Sequence, residues 1–199
     1  MKKSLGSKER SIDEKTVEKT IKKKIDTVQE TMKIPVIYLR DKQAFSNKTN
    51  RLAILGKPID LAKKLKKEGA DLIHIVDLDL EKGNIVNFDT YDHLTYFIHA
   101  QVEGARDEKT VKRLVDVGMR TVIPLPTLLN LKKFSKNKRL LVGKITNPED
   151  ASDDVFDLLY SGTKKEELES LLKTGRRIIS LNNIIVKGKQ KLFGVLYLL

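Results

Sequence analysis

The chain has 199 residues, 39 basic against 27 acidic for a net charge of +12, and no cysteine. That length suits one good-sized domain with a real core, and the missing cysteines exclude a disulfide framework and any cysteine metal site or nucleophile. The N-terminus is charged with no apolar stretch behind it, and no run approaches the ~20 apolar residues of a membrane span, so the sequence predicts a cytoplasmic protein without membrane contact.

Residues 1–10 are polar. In "SIDEKTVEKTIKKKIDTVQETM", Ser11 and Glu14 form an S-x-x-E capping box. Val17, Ile21, Ile25, Val28 and Met32 follow at spacings of four, four, three and four, one stripe of a helix. This amphipathic N-terminal helix is expected to dock on the domain or on a second copy, giving a homo-oligomer. The boundary falls at 1–32 for the extension and 33–199 for the folded domain.

After Met32 the pattern changes to alternating strands and helices. "IPVIYL" (34–39) is a buried strand, and "PIDLAKKLKKEGA" (58–70) is a helix with Pro58 in its first turn and Gly69 at its end. "DLIHIVDLD" (71–79) is a strand, 88–98 a helix, 100–104 a strand, 107–118 a helix and 121–126 a fourth strand. Then come strands at 139–145 and 155–160, a helix at 164–175, and strands at 176–181 and 192–199. Continuous apolar strands alternating with helices predict parallel pairing. Eight strands are present, but there is little room for helices after the fifth and seventh. A full (βα)8 barrel needs about 200–250 residues. The fold class is therefore α/β, a TIM-type barrel, either shortened or open. The segment from Ile184 to Leu196 also admits an antiparallel hairpin around Lys187–Gly188.

Three stretches carry a family resemblance. "IPVIYLRD", then "PIDLAKKLKKEGADLIHIVDLDLEKGNIVN", then "AQVEGARDEKTVKRLVDVGMRTVI" resemble the first half of the HisA/HisF family, which includes the ribotide isomerase of histidine biosynthesis. The family's patterns are I-P-A-I-D-L-K-D-G, G-A-D-x-L-H-V-V-D-L-D and V-Q-V-G-G-G-I-R. The resemblance covers roughly residues 34–130. It implies a (βα)8-type fold and descent from an enzyme whose ligand has a phosphate at each end.

The departures bear on activity. The family's first-strand aspartate, one of two acid/base residues, falls at Tyr38. The second acid belongs on the fifth strand, which here reads Lys144-Ile145-Thr146. A sugar isomerisation needs a positioned acid/base pair, and a phenol is a poor base at neutral pH. The glycine-rich phosphate loops are also altered. G-G-G-I-R has become Glu103-Gly104-Ala105-Arg106, I-G-T has become "IPLPT", and S-G-G has become "LNN". Gly104, Arg106, Thr127, Thr163 and Asn182 remain as candidate ligand or phosphate contacts, with Tyr38 as a further one.

Asp77 and Asp79 close the second strand two residues apart, on one face. In one reading they line the barrel mouth with Lys144 and form a relocated catalytic set. In the other they are inherited scaffold acids bonded to loop amides. Paired carboxylates suit Mg²⁺, but nothing else in the sequence requires a metal or a cofactor, and none is expected. His74 reads as a core histidine. The resemblance and its gaps predict a member without ribotide isomerase catalysis that binds a phosphorylated sugar or nucleotide, or serves as a scaffold. A phosphosugar isomerase or lyase with relocated acids is the alternative. The third is an RNA-associated basic protein. Its lysines are spread along the chain and aromatics make up only 6%, so nucleic acid is the less favoured partner.

Overall fold

Apolar strands without a polar face need cover on both sides, and the chain provides it by closing a sheet on itself. The computed structural model describes residues 31–48, 50–184 and 192–199. Ten strands form one sheet: β1 (Met32–Arg40), β2 (Gln43–Ser46), β3 (Ala53–Gly56), β4 (Leu72–Asp77), β5 (His99–Glu103), β6 (Arg120–Pro124), β7 (Leu141–Ile145), β8 (Asp157–Tyr160), β9 (Ile178–Ser180) and β10 (Gly194–Leu198). Their order is β10-β9-β8-β7-β6-β5-β4-β1-β2-β3, and β10 also pairs with β1. Eight strands therefore make a closed parallel barrel. Met32 to Val36 lie beside Gly194 to Leu198 in parallel register, which closes it. The open form allowed by the sequence is not what the chain adopts. Met32, the last residue of the predicted N-terminal helix, is instead the first of β1 and lies beside Gly194; residues 11–30 of that helix and the predicted turn at Lys187–Gly188 lie outside the described residues.

Among the described residues four α-helices pack around the barrel: α1 (Pro58–Lys67), α2 (Phe88–Thr95), α3 (Glu108–Asp116) and α4 (Lys165–Lys173). Two of them show the local chemistry of their first turns. Pro58 opens α1, where its missing N–H costs nothing. Asp107 caps α3, accepting from the Thr110 N–H at 2.9 Å and its hydroxyl at 2.8 Å. Elsewhere the cover thins. A kinked 3-10 segment, Leu131–Leu140, follows β6, and a single 3-10 turn, Pro148–Asp150, follows β7. The expected shortage of helix after the fifth barrel strand is thus present, and the fourth shares it.

One element was not expected. β2 and β3 form an antiparallel hairpin on the far half of β1. The β1–β2 turn holds Asp41 and Lys42 at φ of 49° and 58°. Hairpin turns with two positive φ values ordinarily advertise themselves with Asn-Gly or Asp-Gly, and Asp-Lys does not.

The core has two layers. Ile34, Val36, Leu72, Val122, Val142, Leu159, Ile179 and Leu196 fill the barrel interior. Alternate residues such as Ile37, Ile73, Ile75, Val102 and Ile123 face outward to the helices. At the N-terminal ends of the strands, Asp157 is fully buried. Arg177 grips it from Nε and Nη2 at 2.7 Å each, and Arg120 Nη2 donates to it as well. The Arg177 guanidinium lies over the Phe193 ring at 4.4 Å. This ionic floor leaves the opposite, C-terminal face to carry loops and ligands, as in other barrels. No helix among the described residues is long and apolar enough to cross a membrane.

Candidate functional site at the barrel mouth

Strand alternation decides what β4 offers. His74 and Val76 point into the barrel; Ile73, Ile75 and Asp77 point out toward the helices. Asp77 is fully buried there. Its Oδ1 accepts the N–H groups of Asp79 and Leu80, each at 2.8 Å. Its Oδ2 accepts from Asn87 Nδ2 at 3.0 Å and from the Tyr91 hydroxyl. Burial and the Asp77 charge push the Tyr91 phenol far up, so it stays protonated and donates. Asp79 accepts the Asp41 N–H at 2.6 Å and Asn87 Nδ2 at 3.1 Å. Asn87 Oδ1 accepts the Lys42 N–H at 2.9 Å. Asp79 and Asn87 therefore hold the two left-handed residues of the β1–β2 turn in place. Asp77 and Asp79 tie two loops and α2 together, and neither is bonded to Lys144. The structure does not bring the three candidate catalytic residues together.

Lys144 instead points inward from β7. Its Nζ lies 2.5 Å from Glu103 Oε1. The other carboxylate oxygen stands 3.5 Å from His74 Nε2, and His74 Nδ1 meets Gln101 Nε2 at 2.9 Å. Burial pushes the Glu103 carboxyl up, but His74 and Lys144 together outweigh it and hold it below the ordinary carboxylate range. The negative charge that replaced a family glycine thus meets Lys144 on one oxygen and the His74 ring on the other. Tyr38, on β1, is half-buried and packs against the interior apolar layer.

Beside this group opens a cleft of about 450 Å³ at the ends of β5 and β6. Glu103, Gly104, Arg106 and Thr127 line it, with Pro126 and Leu128 as apolar walls. Three of the predicted ligand contacts therefore share one cavity. Arg106 is exposed and has no ion pair among the described residues. Gly104 has a structural role too. Its φ is +135°, and a Cβ there would stand 2.8 Å from the Asp77 carbonyl and 3.1 Å from Leu80 Cβ. Only glycine lets the β4 and β5 loops approach so closely.

Thr163 and Asn182 sit apart from that cleft, at the ends of β8 and β9. Asn182 Nδ2 donates to the Ser161 and Gly162 carbonyls at 3.2 and 2.9 Å, which shapes the loop that presents exposed Thr163. Lys164 pairs with Glu167 at 2.7 Å, and Glu167 accepts the Tyr160 hydroxyl at 2.8 Å. Burial and Glu167 push the Tyr160 phenol up to about 12.

Sequence reasoning missed two residues. Asn87, the hub between Asp77, Asp79 and Lys42, resembles any helix-start asparagine. Glu103 stands in the sequence only as a departure from a glycine-rich loop; its partners lie on β4 and β7, and no local spacing signals them.

Residues 32–138 match the model of a family described as histidine biosynthesis protein. A phosphoribosyl imidazole-4-carboxamide isomerase of Methanocaldococcus jannaschii is 30% identical over 118 residues, 56% of this chain and 50% of that protein. An uncharacterised protein of the same organism is 31% identical over 122 residues, 55% of this chain and 54% of its own length. An isomerase of the same description from Clostridium botulinum is 39% identical over 146 residues, 67% of this chain and 60% of its own. The chain spans about half the length of the first two of these relatives.

Proposed function

Because the chain belongs to the histidine biosynthesis protein family, we propose that it is a barrel that binds one phosphorylated small molecule at its C-terminal mouth and does not perform the isomerisation after which its relatives are named. One observation carries this reading. Tyr38 stands where the resemblance places the first acid, and Lys144, locked to Glu103, occupies the fifth strand where the second belongs. Proton transfer between neighbouring sugar carbons needs a free acid/base pair worth about 10²–10⁴-fold per step. Neither Tyr38 nor Lys144 is a carboxylate, so the pair those two strand positions would supply is missing.

Binding is supported by the cleft that joins Gly104, Arg106 and Thr127, and by the exposed Thr163 loop as a second, smaller anion contact. Expressed in a strain lacking the histidine-pathway isomerase, the protein is expected not to restore growth without histidine. Ribose 5-phosphate should raise its melting temperature, and Arg106→Ala should remove that rise. Robust complementation would overturn the loss of isomerase chemistry, and a rise indifferent to Arg106 would move the ligand elsewhere.

RNA association is a second reading with one observation in its favour. Leu131–Leu140, "LKKFSKNKRL", carries five cations and no acid. A short RNA bound with a steep salt dependence would favour it.

A further inference from the structure

The mouth contains an amine that simple ligand binding does not use. Lys144 Nζ is 2.5 Å from Glu103 Oε1, and Glu103 also lines the cleft that holds Arg106 and Thr127. The amine therefore stands one ion pair from the wall proposed to bind an anion. Lys144 is 29% exposed and Glu103 14%, so the pair is sheltered yet reachable. Behind it the polar chain continues to His74 and then to Gln101, whose Oε1 has no partner among the described residues. The carboxylate therefore keeps the His74 ring beside its second oxygen when the amine leaves the first.

We infer that Lys144 condenses with the carbonyl of a phosphorylated aldehyde or ketone to form an iminium, with Glu103 moving the protons. The inference rests on the anion reading of the cleft. Glu103 accepts a proton from the Lys144 ammonium, and the freed lone pair attacks the carbonyl carbon. The carbonyl π pair becomes an alkoxide, which takes that proton back from Glu103. Glu103 then removes a second proton from nitrogen and delivers it to the new hydroxyl. The hydroxyl leaves as water while the nitrogen lone pair closes the C=N bond. One ammonium and one carbonyl give one iminium and one water, Glu103 ends as it began, and no oxidant or other reactant enters. An amine must shed a proton before it attacks, and Glu103 is the group within reach of Lys144 Nζ to take it; an iminium then draws electrons from the neighbouring carbon, so the site suits making or breaking a bond there.

The test uses the full chain with glyceraldehyde 3-phosphate or glyceraldehyde, and sodium cyanoborohydride to reduce any iminium to a stable amine. Peptide mass mapping then reads which lysines are modified. Lys144 should label well ahead of the surface lysines, and faster with the phosphate than without it. Lys144→Arg, which keeps the cation beside Glu103, should abolish that adduct while the melting temperature holds. Glu103→Gln, which keeps the amine, should slow labelling about 100-fold. If Lys144 labels no faster than surface lysines while phosphate still shifts the melting temperature, the amine reading is overturned and the anion reading stands. Equal labelling by both aldehydes keeps the amine and overturns the anion reading. Undiminished labelling of Glu103→Gln removes Glu103 from the step.

Discussion

Each end of the barrel holds a carboxylate between two nitrogen-bearing side chains, and the two ends use that arrangement differently. At the floor, Asp157 has no exposure, and both partners are arginines. A guanidinium stays charged at any ordinary pH and presents a fixed planar fork, and the aromatic ring of Phe193 covers one of these. There is no proton to move and no cavity beside it among those described. At the mouth, the partners of Glu103 are a lysine and a histidine, residue types that serve as general acids and bases, and a cleft borders the group. The choice of cation, more than the presence of an ion pair, separates architecture from chemistry.

The contrast is most exposed to test at the floor. Asp157→Ala would leave two arginines facing each other without their counter-ion. Breaking a buried pair by removing one partner costs about 3–5 kcal/mol, and urea unfolding should register that loss while the melting shift with ribose 5-phosphate survives. A floor variant that kept its stability but lost ligand would reverse the assignment of the two ends.

The mouth should respond less in stability and more in pH. Glu103→Gln removes charge-assisted bonds to Lys144 and His74 and should cost about 1–3 kcal/mol at neutral pH. The folded carboxyl of Glu103 titrates below its ordinary 4.5. Its stabilisation is therefore complete above about pH 4.5 and fades as pH falls through the folded value. The unfolding free energies of the two proteins should converge as the pH is lowered through the acid range. A gap that stays constant with pH would mean that Glu103 acts by packing alone.

The smallest effect belongs to a pair outside the barrel. Lys112 and Asp116 bond at 2.6 Å on α3, but both are more than half exposed. Lys112→Ala should change stability by less than about 0.5 kcal/mol. A larger loss would blunt the comparison, since it would credit any close ion pair with weight.

Much of this fold is legible in the sequence, for a physical reason. The barrel strands are runs such as "LIHIV" that nothing but a doubly covered sheet can hide, and α1, α3 and α4 carry apolar stripes with identifiable ends. What stayed illegible depends on partners distant in the chain. The β1–β2 turn lacks glycine because Asp79 and Asn87, 38 and 45 residues on from their bonds at Asp41 and Lys42, hold it open. Strand period predicts Asp77 and Asp79 on one face, but β4 ends at Asp77 and Asp79 opens the following turn, so the two acids share no strand face. Lys144 was visible as a residue out of family pattern; its link to Glu103 spans 41 residues and skips β6.

Barrel closure also sets a timetable for synthesis. β10 emerges from the ribosome about 150 residues after β1. At roughly 5–20 residues per second, that leaves one edge of β1 unpaired for about 10–30 seconds. The β2–β3 hairpin guards only the distal half of β1, from Tyr38 to Arg40. The stretch from Met32 to Val36 must wait for its partner, and during that wait the nascent chain is most exposed to mispairing and most in need of a chaperone.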